Sequence, residues 1–138
     1  MRSTPGKNPA HGHGQSRVVF IVDDDAAVLT SLKFALELEG FEVRTFPDAQ
    51  SLLRKPTVGR NDFMVIDYRL PDTNGLDLVV RLRAKGVAAP ALLITSNPSA
   101  ELRRRSAALQ LPILEKPLLD NSLVAMIQKQ AQASQPQV

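Results

Sequence analysis

Several residues of this 138-residue chain carry reactive groups directly after short apolar runs. Asp23, Asp24 and Asp25 follow VVFIV, Asp67 closes FMVI, Thr95 and Ser96 follow ALLI, and Glu115-Lys116-Pro117 follows LPIL. Carboxylates gathered in one pocket repel, and a hard divalent cation relieves the repulsion. Mg²⁺ suits such a set because it prefers oxygen ligands and shares its shell with phosphate oxygens. A carboxylate beside it is a competent nucleophile toward an activated phosphoryl group, giving an acyl phosphate. A lysine ammonium and a threonine hydroxyl then neutralise and hydrogen-bond the other phosphoryl oxygens. No glycine-rich phosphate cradle is present, so the set suits phosphoryl transfer to an aspartate rather than nucleotide-dependent phosphorylation.

These groups form one site only if the chain folds so that the ends of the apolar runs meet. Val18–Val22 is a continuous, β-branched run, the mark of a strand buried on both faces. Residues 26–39 place Val28, Leu32, Ala35 and Leu36 at helical spacing, with Gly40 where a helix would stop. The alternation continues with a strand at 41–46, a short helix at 49–55 and a strand at 63–66. Next come turn chemistry in LPDTNG, a helix at 76–85 and a strand at 90–95. Asn97-Pro98 reads as a cap and first helical position, opening a helix to about residue 109. A strand at 111–115 and a helix at 119–132 complete the pattern. Five βα units call for a parallel sheet covered on both faces, a doubly wound three-layer sandwich, and are too few for an eight-unit barrel. In such a sheet ligands bind beyond the carboxyl ends of the strands, where all these groups fall.

Composition narrows the function classes. The chain is 43% hydrophobic and 22% charged, ordinary for a globular domain. Without cysteine, it has neither disulfides nor thiolate metal sites, which fits a cytoplasmic location. No apolar stretch is long enough to span a membrane. Residues 1–17 hold Arg2, Lys7 and Arg17 and no acid, so the other fourteen bases balance the fourteen acids, and a nucleic-acid partner is not expected. Residues 1–16 are rich in Gly, Pro, Ser and Asn and read as a disordered tail. Residues 17–130 read as the folded domain and 131–138 as a polar C-terminal tail. His11 and His13 lie on the first tail with no further ligand and make a poor metal site. Arg103, Arg104 and Arg105 cover most of a helix circumference, which suits a solvated or partner-facing helix better than a groove binder.

The segments VVFIVDDD, VIDYRLPDTNG, LLITS and LEKP, in this order, resemble the receiver domains of bacterial two-component response regulators across residues 18–129. The resemblance implies a flavodoxin-like (βα)5 fold and a stand-alone receiver, a signalling phosphoacceptor rather than an enzyme. A sensor histidine kinase would be the phosphoryl donor to Asp67. Asp23 and Asp24 would hold Mg²⁺ together with Asp67 and the backbone carbonyl of Arg69. Thr95 would be the switch hydroxyl and Lys116 the partner of the phosphoryl group, with a cis bond before Pro117. Asp25 is expected to cap a helix. The partners implied are the kinase and a downstream target or phosphotransfer protein. A homodimer is also expected, through the face made by helix four, strand five and helix five, or through the C-terminal segment.

The chain departs from the family pattern late in the sequence. Leu109-Gln110 stand where many receivers have Gly-Ala, and Ile113 stands at the aromatic that flips inward on activation. The threonine–aromatic switch therefore cannot operate in its usual form. Arg69 and Asn97 fall at positions that affect phosphoryl lifetime, and the long Arg69 side chain is expected to shield the acyl phosphate. Two other readings remain: a constitutive interaction module that no longer switches, and an aspartyl-phosphate phosphatase of the haloacid dehalogenase type. The latter would want a cap domain as well as a D-x-D motif, and no cap domain is seen.

Overall fold

The structure is a computed structural model that describes residues 17–54, 58–118 and 121–133. Five strands alternate with five helices: β1 (Val18–Val22), α1 (Ala26–Leu38), β2 (Glu42–Phe46), α2 (Ala49–Arg54) and β3 (Phe63–Asp67). They continue as α3 (Gly75–Ala84), β4 (Ala91–Thr95), α4 (Ala100–Ala108), β5 (Ile113–Glu115) and α5 (Ser122–Ala133). All strands are parallel, in the order β2-β1-β3-β4-β5. The chain leaves β1 to one side for β2 and returns to the other side for β3. The carboxyl ends of β1 and β3 therefore flank the crevice at which such sheets bind ligands.

Period-two alternation along the buried strands makes two cores, one per sheet face. Phe20, Val22, Met64, Ile66 and Leu93 pack against Leu52 of α2, Leu78 and Leu82 of α3, and Leu102 of α4. Val19, Ile21, Val65, Leu92 and Ile94 pack against Leu32 and Leu36 of α1 and Leu123 and Ile127 of α5. The sheet is thus sealed on both sides, and its polar chemistry is confined to the strand ends.

Side-chain caps fix where the helices begin. Asp25 accepts hydrogen bonds from the Ala27 and Val28 amides, Asn74 from Asp77 and Ser99 from Leu102. The cap of α4 differs from the expectation placed on Asn97. Asn97 instead adopts a left-handed conformation (φ 44°), and Ser99 takes the cap two residues on. β5 also starts later than expected, at Ile113. The Leu111 amide donates to the Ser106 carbonyl, and the Ser106 hydroxyl donates to the Leu111 carbonyl, which closes α4 against the loop. At the other end α5 continues to Ala133, into the stretch expected to be tail. Residues 1–16, with His11 and His13, lie outside the described residues, as do 134–138. Among the described residues, no helix is long and apolar enough to cross a membrane.

Candidate functional site

The rim of the sheet gathers most of the residues singled out above. Asp23 follows β1 and is fully buried; its amide donates to the Phe46 carbonyl, 3.0 Å away, and its Oδ1 accepts from the Asp25 amide at 2.9 Å. Asp67 ends β3 and is 5% exposed, and Thr95 ends β4 and is 2% exposed. Asp24 stands open to solvent beside them. One carboxylate oxygen from each of Asp23, Asp24 and Asp67 lies within 4.8 Å of the other two. Lys116 reaches in from the end of β5, its Nζ 3.3 Å from Asp23 Oδ2 and 3.5 Å from Asp67 Oδ2.

Backbone bonds hold these groups in place. Tyr68 donates its amide to Ile94, and Lys116 donates its amide to Thr95, tying the ends of β3, β4 and β5 together. The Gly75 amide donates to Tyr68, 2.7 Å away, closing the loop that follows Asp67. A Cβ at position 75 would sit 2.6 Å from the Asp67 carbonyl oxygen and 2.9 Å from Ile66 and Leu93 side-chain carbons. Only glycine permits that approach, which accounts for the end of the D-x-x-L-P-D-x-x-G motif. The Lys116–Pro117 bond is cis, as expected.

The electrostatics follow from the crowding. Burial and the nearby negative charge of Asp23 push the Asp67 carboxyl up to about 6, although Lys116 and the Arg69 amide pull the other way. Burial works against the Lys116 ammonium, but Asp67 and Asp23 outweigh it and raise its pKa. One cation faces three carboxylates in a poorly solvated pocket. The donor set is all hard oxygen and carries surplus negative charge, so these residues fit Mg²⁺.

Other candidates are placed elsewhere. Glu115 turns outward and pairs with Arg103 at 3.5 Å, and Arg105 lies 3.9 Å from Asp77. Such exposed pairs contribute roughly 0–1 kcal/mol, so two of the three consecutive arginines are solvated structural contacts. Arg69 is exposed, and Ile113 is half-buried against the core shared with α4.

Asp72 is a residue that sequence reasoning missed. From the loop after Asp67 it accepts the Ala49 amide at 3.1 Å and the Gln50 amide at 2.9 Å, capping α2. Asp48, the local N-cap, accepts the Ser51 amide and hydroxyl, so the two carboxylates share the first turn of α2. No local pattern signals a cap that lies 23 residues along the chain.

Comparison with known proteins agrees with this geometry. Residues 19–128 match the response regulator receiver domain family. The transcriptional regulatory protein FixJ of Bradyrhizobium diazoefficiens is 34% identical over 119 residues, which cover 86% of this chain and 58% of FixJ. The transcriptional regulatory protein PrrA of Mycobacterium tuberculosis is 39% identical over 85 residues, covering 62% of this chain and 36% of PrrA. The chain therefore spans only part of the length of these relatives. Among solved structures, FixJ-N superposes with a TM-score of 0.75 at 26% identity, covering 91% of this chain and all of that one. A CheY-like receiver domain protein of Methanospirillum hungatei superposes at 0.76 and 24% identity, over 86% of this chain and 96% of that one, which bears on the fold alone.

Proposed function

The chain belongs to the response regulator receiver domain family, a phosphoacceptor module of two-component signalling, and from that premise we propose that Asp67 accepts the phosphoryl group. The observation that carries this assignment is the convergence of Asp67 with Lys116 and the acidic pair at the β1/β3 crevice.

The residue roles follow from position and charge. Asp67 presents its carboxylate to the phosphorus of a phosphohistidine on a sensor kinase. An oxygen–phosphorus bond forms as the nitrogen–phosphorus bond breaks, and the imidazole leaves with the electron pair. Lys116, already between two carboxylates, holds a transferred phosphoryl oxygen, and Thr95 offers its hydroxyl to another. Asp23, Asp24, Asp67 and the backbone carbonyl of Arg69 would hold Mg²⁺, which supplies charge neutralisation for the phosphoryl oxygens. The Arg69 side chain shields the resulting acyl phosphate from water.

The output runs to a downstream protein target or phosphotransfer partner. Half-buried Ile113 gives that output no flipping aromatic, so α4 and the loop before β5 carry the change. A groove of about 420 Å³ bounded by Arg103, Leu111, Ile113 and Gln130 lies between α4, β5 and α5, and supports a homodimer through that face. Sedimentation at high concentration would detect it, and a monomer in both phosphorylation states would remove it. The reading places the chain in the cytoplasm, in keeping with a cysteine-free sequence.

Intact mass after incubation with acetyl phosphate and Mg²⁺ tests the assignment. One phosphoryl group is expected on the wild type and none on Asp67→Asn. Equal labelling of the variant would show that another residue is the acceptor.

A further inference from the structure

We propose that a groove beside Lys116 is a subsite for the apolar body of a small-molecule phosphodonor, so that acyl phosphates with large hydrocarbon groups are favoured over acetyl phosphate. The inference deepens the phosphoacceptor reading and rests on it. The groove has a volume of about 410 Å³ and runs between α1 and the segment after β5. Its walls are Ala27, Ser31 and Leu32 on one side and Ser96, Pro117 and Leu118 on the other, with Lys116 among them.

Two features select the occupant. Lys116 Nζ lies 3.5 Å from Asp67 Oδ2, so the groove adjoins the place where a phosphoryl group bound for Asp67 must be held. The walls away from that cation are mostly hydrocarbon, broken by two serine hydroxyls. A cationic end next to an apolar trough is complementary to a molecule with an anionic phosphoryl head and an apolar tail. The volume falls within the roughly 300–1,000 Å³ of small-ligand sites. An acetyl group fills little of it, whereas a phenyl group removes more apolar surface from water.

The reaction balances without any further reactant. An Asp67 carboxylate oxygen bonds to phosphorus as the bond from phosphorus to the acyl oxygen breaks. The departing carboxylate keeps that electron pair, and no proton moves. Tail contacts are the same before and during transfer, so the preference falls on KM rather than kcat.

The test compares Mg²⁺-dependent labelling by benzoyl phosphate and by acetyl phosphate, followed by intact mass on the full chain. The readout is the ratio of the two kcat/KM values within each protein. For the wild type it should be about fivefold in favour of benzoyl phosphate, the order expected if this open groove removes about one methylene's worth of extra apolar surface from water. Ala27→Leu and Ser31→Leu fill the groove from exposed helix positions that tolerate leucine, and each should bring the ratio to about one. The two donors have similar leaving groups, so the wild-type ratio itself reports binding of the tail. A wild-type ratio near one, or one unchanged in both variants, would overturn the subsite while leaving Asp67 as acceptor. Failure of both donors to label the protein would overturn the phosphoacceptor reading, and this inference with it.

Discussion

Asp67, the proposed acceptor, shows a carboxylate held at the strand end at a cost to the fold. Its carboxyl is raised from the ordinary 3.8 to about 6 by burial and by Asp23. Because the folded-state value is the higher one, the unfolded chain ionises first as pH rises. Stability is then lost between about pH 4 and pH 6 and stays lost above that window. With partial screening the penalty is on the order of 1–2 kcal/mol at neutral pH. Asp67→Asn should therefore unfold at higher urea concentration than wild type at pH 7 without divalent cation, and the difference should fade toward pH 4. Lys116 retains Asp23 at 3.3 Å in that variant, so removing Asp67 strands no buried cation. A variant no more stable at pH 7 would show that Asp67 is not under this strain. The site was largely legible at this scale because each of its side chains directly follows an apolar run. Glu115 shows the limit: it has the same sequence context as Lys116, yet it points outward to Arg103.

At the scale of elements, strand positions were legible because continuous β-branched runs have few alternatives inside a two-sided core. The beginning of α4 and the start of β5 were not. Both depend on backbone conformations that a propensity argument does not reach: Asn97 at φ 44° and Gln110 at φ 56°. Asparagine tolerates that region and glutamine does so less well. Gln110 adopts it in the turn between α4 and β5. Gln110→Gly should raise stability by about 1 kcal/mol, measured by chemical denaturation, because the native turn then carries less strain. A loss of stability would mean that the Gln110 side chain contributes more than the backbone conformation costs. The cap of α2 by Asp72 was illegible for a different reason: its partners are brought together only by the fold.

On the scale of the whole molecule, the carboxyl ends of the strands leave three carboxylates facing one ammonium, an imbalance that a bound cation would offset. Mg²⁺ should raise the melting temperature by mass action, with about 2.7 kcal/mol of stabilisation when the ion is at a hundred times its Kd. Asp24→Asn should weaken this response without unfolding the protein, because Asp24 is exposed. A melting curve indifferent to Mg²⁺ in the wild type would remove the ion from the site. One further consequence belongs to the Asp72 cap. The amides of Ala49 and Gln50 are shielded by a carboxylate on the loop that follows Asp67. Their exchange with deuterated water is therefore governed by how firmly that loop is seated rather than by α2 itself. Two protons on a neighbouring helix thus serve as a gauge of order in the loop beside Asp67, readable without any label on the site.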